Sequence, residues 1–323
     1  MKSIIAVAPG KCILFGEHAV VYGYPAIAMA LDKGSKCNIR ETKYNKIEIH
    51  LINYNEDFEG ANIENLKQII PQKYAQISKL FSLLSEYFQL EPQRLSITIS
   101  SNLFPGAGLG SSASIAASLL YAFNCFYELH LQKTKVNELA YELEQIIHGT
   151  PSGIDNTICT YGKSIYFQNG TFSFMKISEK IRFLITYTNI EHDTKEAITR
   201  LRNLRQEQPK KTNQYLKEIG KICKHARRAI KNNDFDKIGE LMNENQDYLS
   251  KLQLSNKKIQ EITSTALNNG ALGSKLTGAG LGGCVISLGE EEKLLDLITI
   301  LQKKGYKSFI AKNDQEGVRC EKK

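Results

Sequence analysis

The sequence predicts an α+β fold of two domains, a strand-rich one over residues 1–180 and a helix-rich one over 181–323. Three observations lead there. A chain of 323 residues has room for about two domains of ~150 residues each. Its 42% hydrophobic and 24% charged residues match ordinary globular chains, which excludes wholesale disorder or a fibrous repeat. Short strand-like runs also give way near residue 180 to long polar helices.

Apolar runs at 4–7 and 12–15 read as strands separated by the breakers Pro9 and Gly10. The first run is too short for the apolar stretch of a signal peptide. Period-two alternation marks strands at 35–42 and 46–51. A helix is expected over 72–90, a strand over 95–100, and helices over 112–128 and 135–147. Strands at 163–167 and 181–186 close the first half. Helices then follow at 194–206, 212–231, 234–249 and 256–268. The tail carries a Gly-rich segment at 270–283, a strand at 284–288, a helix at 290–304 and a strand at 307–311.

No stretch reaches the roughly 18 apolar residues of a membrane-spanning helix. The seven cysteines are scattered and contain no Cys-x-x-Cys pair, which points to a reducing, cytoplasmic setting. The net charge of +8 is regional, because residues 195–231 hold twelve Lys or Arg against three Glu. Tyr215, Ile219, Ile222, Ala226 and Ile230 recur there at helical spacing, so the basic side chains fall on a solvated opposite face. A nucleic-acid surface would add interleaved aromatics or a recognisable module, and neither is found. Attraction of a small polyanion stays open.

The sharpest local feature is residues 105–114, between an expected strand and an apolar helix. Gly106, Gly108 and Gly110 can adopt positive φ and bring bare backbone close to a ligand. Ser111 and Ser112 then open a helix whose free amides and dipole favour an anion such as polyphosphate. Neither the Walker A nor the dinucleotide-binding pattern fits this string. A literal Gly-x-Gly-x-x-Gly occurs at 278–283, but a strand follows it, so a turn closing over a substrate or packed beside the first loop is the better reading.

Two acids and a lysine stand out. Asp155 lies in the turn-rich stretch 148–156 and is expected on a constrained loop. Glu144 falls roughly 100° from the middle of its helix's apolar stripe, on a flank that can line a cleft. Lys11 sits at a strand edge, and Glu17 and His18 interrupt an apolar run, which is costly unless they are bonded or meet a polar ligand.

Taken together, segments 9–23, 105–114, 148–156 and 273–283 resemble the GHMP kinase superfamily, and within it the mevalonate kinase family. The resemblance implies a two-domain fold: an N-terminal domain like ribosomal protein S5, a ferredoxin-like C-terminal domain, and an active site in the cleft between them. It implies ATP-dependent phosphorylation of the 5-hydroxyl of mevalonate. ATP phosphates would lie on Pro105, Gly106, Ala107, Gly108, Leu109, Gly110, Ser111 and Ser112, with Mg²⁺ on Ser112 and Glu144. Asp155 would face the substrate hydroxyl with Lys11 beside it. Glu17, His18, Thr194 and Ala279 would belong to the substrate end. The implied partners are small molecules, not nucleic acid or membrane, and a homodimer is admitted. Sugar kinases of the superfamily place a pair including Asp where Ala19 and Val20 stand, which disfavours a polyol substrate. Leu281 departs from the glycine run of many mevalonate kinases. A sibling acting on phosphomevalonate or mevalonate diphosphate, and a non-catalytic small-molecule sensor, are the alternatives.

Overall fold

The computed structural model describes residues 1–149, 151–191 and 193–321, with the backbone alone at 147 and 148. Its frame is a pair of sheets. The first takes its strands from β1 (Ser3–Phe15), β2 (Ala26–Glu41), β3 (Ile47–Leu51), β4 (Glu56–Gly60), β5 (Leu95–Ser101), β6 (Ser164–Gln168) and β7 (Thr171–Met175). The second holds β8 (Arg182–Tyr187), β9 (Gly273–Thr277), β10 (Cys284–Gly289) and β11 (Lys307–Ala311) in the order β11-β8-β10-β9. A last strand, β12 (Arg319–Cys320), returns to the first sheet and gives it the order β12-β1-β2-β5-β3-β4, with β6 and β7 branching from β2. Helices α1 (Ile63–Ile69), α2 (Ala75–Phe88), α3 (Ser111–Phe126), α4 (Lys133–His148) and α5 (Ile154–Tyr161) come before the second sheet begins. Helices α6 (Thr194–Glu207), α7 (Pro209–Asn232), α8 (Phe235–Lys251), α9 (Lys257–Asn268) and α10 (Glu291–Lys303) follow. None of the helices described is long and apolar enough to cross a membrane.

The runs expected as two strands at 4–7 and 12–15 form one, and the register shift between Pro9 and Lys11 absorbs the breakers as a bulge. β2 starts nine residues before the expected strand at 35–42, because residues 26–31 are buried on both faces and show no alternation. α1, α5, β4, β7, β9 and β12 were not expected at all; all but β12 are between five and eight residues long and carry weak periodic signals.

α3 is almost wholly buried, and its Ala and Ser side chains let it press onto the first sheet. Ser114 Oγ donates to Ala8 O at 2.7 Å and accepts from Ser35 N at 2.9 Å, so the helix brings its own partners into the core. α7 buries Ile219, Ile222, Ala226 and Ile230 as its spacing predicts, with Tyr215 half-buried and Leu216 buried next to it, while Lys217, Lys221, Lys224 and Arg228 are exposed.

One apolar cluster fastens the sheets together. Cys12, Leu14, Ile27 and Met29 of the first pack with Phe183, Ile185, Ile286 and Leu288 of the second, closed off by Ile222 and Met242. The tail adds a second tie: Val318 is buried in the core of the first sheet, and Val318 N donates to Thr160 O at 3.1 Å. Cys125 of α3 and Cys320 of β12 form a disulfide, which spacing alone did not disclose, and the other five cysteines are free and buried.

Candidate active site

The glycine loop between β5 and α3 alternates in and out. Ala107 and Leu109 turn inward and are buried, while Gly106 is exposed and Gly108 and Gly110 are half-buried. Gly106, Gly108 and Gly110 all have positive φ, at 57°, 74° and 71°. Gly110 is also the N-cap of α3 and offers no side chain to its first turn.

Lys11 enters this loop from β1. Its backbone N donates to Leu109 O at 2.8 Å, and a Cβ added at Gly110 would lie 2.8 Å from Lys11 Cγ, so only glycine admits the lysine stem. The side chain is buried to 7% exposure, and its Nζ lies 3.2 Å from Asp155 Oδ1. A strand-edge lysine would ordinarily be solvated; this one is held between the loop and an acid.

Asp155 does not sit on a loop. Gly153, at φ 83°, turns the chain into α5, and Asp155 occupies its first turn, where the helix dipole favours a carboxylate. The expectation failed because α5 has only eight residues and starts amid turn formers. Thr150, within the stretch 148–156, lies outside the described residues.

Glu144, expected on a helix flank, is only 2% exposed. It accepts a hydrogen bond from Ser112 Oγ at 2.6 Å. Burial raises its carboxyl from 4.5 to about 7; the Ser112 bond works against that rise, the charge of Asp155 adds to it, and Lys11 lowers it. The loop, Lys11, Asp155, Ser112 and Glu144 therefore share one cluster. Two hard oxygen donors this close suit a small divalent cation whose remaining ligands come from elsewhere, and among the described residues no group of three His, Cys, Asp or Glu forms a self-sufficient metal site.

Glu17 and His18 come off the end of β1. Glu17 is fully buried and paired with Lys275 of β9, while Asn245 Nδ2 of α8 approaches its other oxygen at 3.5 Å. Burial raises the Glu17 carboxyl and lowers the Lys275 ammonium. His18 adopts a positive φ of 59°, and its Nε2 lies 2.7 Å from Ala279 O in the β9–β10 turn. Desolvation lowers its pKa, so the neutral ring donates from Nε2.

That turn does lie beside the first loop. A Cβ at Gly278 would stand 3.6 Å from Gly108 O. Leu281, in place of a further glycine, holds a φ of 60°; its N donates to Leu254 O and its O accepts from Asn256, both at 2.8 Å. Thr194 opens α6 and is exposed. Sequence reading gave no role to Lys275 or to Gln76, whose side chain lies 3.1 Å from Ser112 Oγ. The available signal was a polar residue in line with Leu80 and Leu84 on the buried face of α2.

Two family models match the chain: "GHMP kinases N terminal domain" over residues 75–163 and "GHMP kinases C terminal" over residues 226–307. The mevalonate kinase of Pyrococcus abyssi is 32% identical over 340 residues, covering 99% of this chain and 98% of that one. The crystal structure of the Methanococcus jannaschii mevalonate kinase is similar with a TM-score of 0.86 at 33% identity, over 97% of this chain and 98% of that one. The L. major mevalonate kinase in complex with R-mevalonate is similar at 0.79 and 27% identity, over 95% of each chain.

Two outcomes follow from the charges. Lys275→Met leaves Glu17 buried without its cation and should cost about 3–5 kcal/mol in urea unfolding, most of it recovered in Glu17→Leu/Lys275→Met. A single-variant loss below about 1 kcal/mol would show that the pair does not hold the fold. Glu144, held above its ordinary value, stabilises the ligand-free fold most when protonated, so stability should decline as pH rises from 4.5 through about 7. Glu144→Gln should flatten that decline, and matching profiles would show that another group titrates.

Proposed function

The chain belongs to the GHMP kinase family, and on that footing we propose that it transfers the γ-phosphoryl group of ATP to the 5-hydroxyl of mevalonate, giving 5-phosphomevalonate and ADP. The observation that carries this reading is the Lys11–Asp155 pair set directly against Gly110 of the glycine loop. An alcohol at Asp155 would there meet the end of a polyphosphate lying on the loop.

Phosphoryl transfer asks a protein mainly for alignment and charge neutralisation. The backbone amides of 106–112 receive the phosphate oxygens, with the α3 dipole adding to their pull. Asp155 accepts the hydroxyl proton as the alcohol oxygen bonds to the γ-phosphorus and the bond to the β-phosphate bridging oxygen breaks, releasing ADP. Lys11 positions that carboxylate and steadies the charge developing on the alcohol oxygen. Ser112 and Glu144 would hold Mg²⁺, which supplies neutralisation of phosphate charge when bound.

His18 and Ala279 form the substrate end, while Glu17, expected to line it beside His18, is fully buried against Lys275 and Asn245 and supports that end from within the protein. Thr194, at the exposed start of α6, is the remaining residue assigned there. A substrate that already carries a phosphate would need added cations at this end, and the nearby Lys275 is committed to Glu17. Residues 1–180, completed by the tail that returns to the first sheet as β12, make up the nucleotide-binding part in this reading, and the rest of 181–323 the part set against it.

A coupled ADP-release assay across mevalonate, phosphomevalonate, homoserine and galactose tests it. Turnover with mevalonate is expected; preference for another acceptor would overturn the substrate, and silence with all of them the kinase reading. Asp155→Asn should lower kcat by about 10²–10⁴-fold with ATP binding nearly intact. Near-normal turnover would remove Asp155 from the chemistry.

A further inference from the structure

Ser112 Oγ has one proton and two acceptors within reach. Glu144 Oε1 lies at 2.6 Å and Gln76 Oε1 at 3.1 Å. Gln76 is the second residue of α2, only 7% exposed, in a row that otherwise buries Leu80 and Leu84. A polar side chain at such a position is costly unless its polar atoms are bonded, and its amide oxygen is bonded to Ser112.

A hydroxyl that ligates a cation must turn a lone pair toward it and send its proton elsewhere. In the ligand-free structure Glu144 and Gln76 both lie within reach of that proton. An oxygen of Glu144 engaged by a cation is a poorer acceptor, because its electron pairs are drawn to the positive charge. A neutral amide oxygen beside Ser112 accepts the proton without changing the site's charge. We propose that Gln76 is a positioning residue for the divalent cation: its side-chain oxygen takes the Ser112 proton and so fixes the hydroxyl with a lone pair free for the metal. The inference rests on the assignment of Mg²⁺ to Ser112 and Glu144 above. It predicts that Gln76 acts only through Ser112, and on metal affinity ahead of nucleotide affinity.

The test is direct titration of Mn²⁺ by electron paramagnetic resonance on the full chain in the presence of ADP, with metal-free ADP binding measured by calorimetry. Gln76→Met should weaken Mn²⁺ binding about 10-fold, the low end of what outer-shell partners of metal ligands contribute, while metal-free ADP affinity stays within about twofold. Gln76→Glu keeps an acceptor oxygen and should bind Mn²⁺ at least as tightly as wild type. In a Ser112→Ala background, Gln76→Met should add less than about twofold, because the residue it orients is gone.

Unchanged Mn²⁺ affinity in Gln76→Met would overturn the proposal. So would an equal loss in the Ser112→Ala background, or a Gln76→Glu variant that binds Mn²⁺ as weakly as Gln76→Met. Wild-type protein that takes up no Mn²⁺ with ADP would instead overturn the metal assignment, and this inference with it.

Discussion

The free edge of the second sheet is joined to the first strand of the other, and the placing of the site depends on that join. β9 ends its sheet, so its outward backbone groups would be buried without partners if nothing met them. Side chains meet them. Leu276 N donates to Gln246 Oε1 at 2.8 Å and Ser274 N to Asn243 Oδ1 at 2.9 Å, both from α8. Thr277 Oγ1 accepts from Ile13 N and donates to Ile13 O, each at 2.9 Å, and so locks β9 to β1. The buried Glu17–Lys275 pair lies next along the same seam. Two charges in a dry interior tolerate little displacement, since the loss of either leaves the other without compensation. β1 also delivers Lys11, so the seam that fixes the sheets fixes the lysine.

The cluster around Lys11 balances charge in a small space. Asp155 and Glu144 both feel its ammonium, and the two acids feel each other. Burial makes an ionised Glu144 expensive, and Ser112 relieves part of that cost by donating to it. A site that carries an unfavourable carboxylate in the absence of ligand is one a cation can improve. The positive φ at Gly110 serves the same end, because the residue there can carry no side chain where the Lys11 stem lies.

Much of this was legible in the chain. The glycine loop, the apolar helix after it and the basic amphipathic α7 follow from local composition and period, and four motifs in order carried the family and the residues of the cluster. The errors have a common cause. Asp155 reads as a loop residue in the sequence because eight residues of helix among turn formers give no period to read. β12 was missed because two residues become a strand only when β1 is there to receive them.

What the sequence determined by itself is whatever depends on neighbours a few residues apart: where the backbone can bend, which helix faces are apolar, and which residue types stand ready for phosphate. What only the tertiary structure decided is which buried polar groups meet. Glu17 is 258 positions from Lys275, and Ser112 is 36 from Gln76. No local pattern encodes such pairs, because the cost that forces them together arises only when folding removes water from both partners.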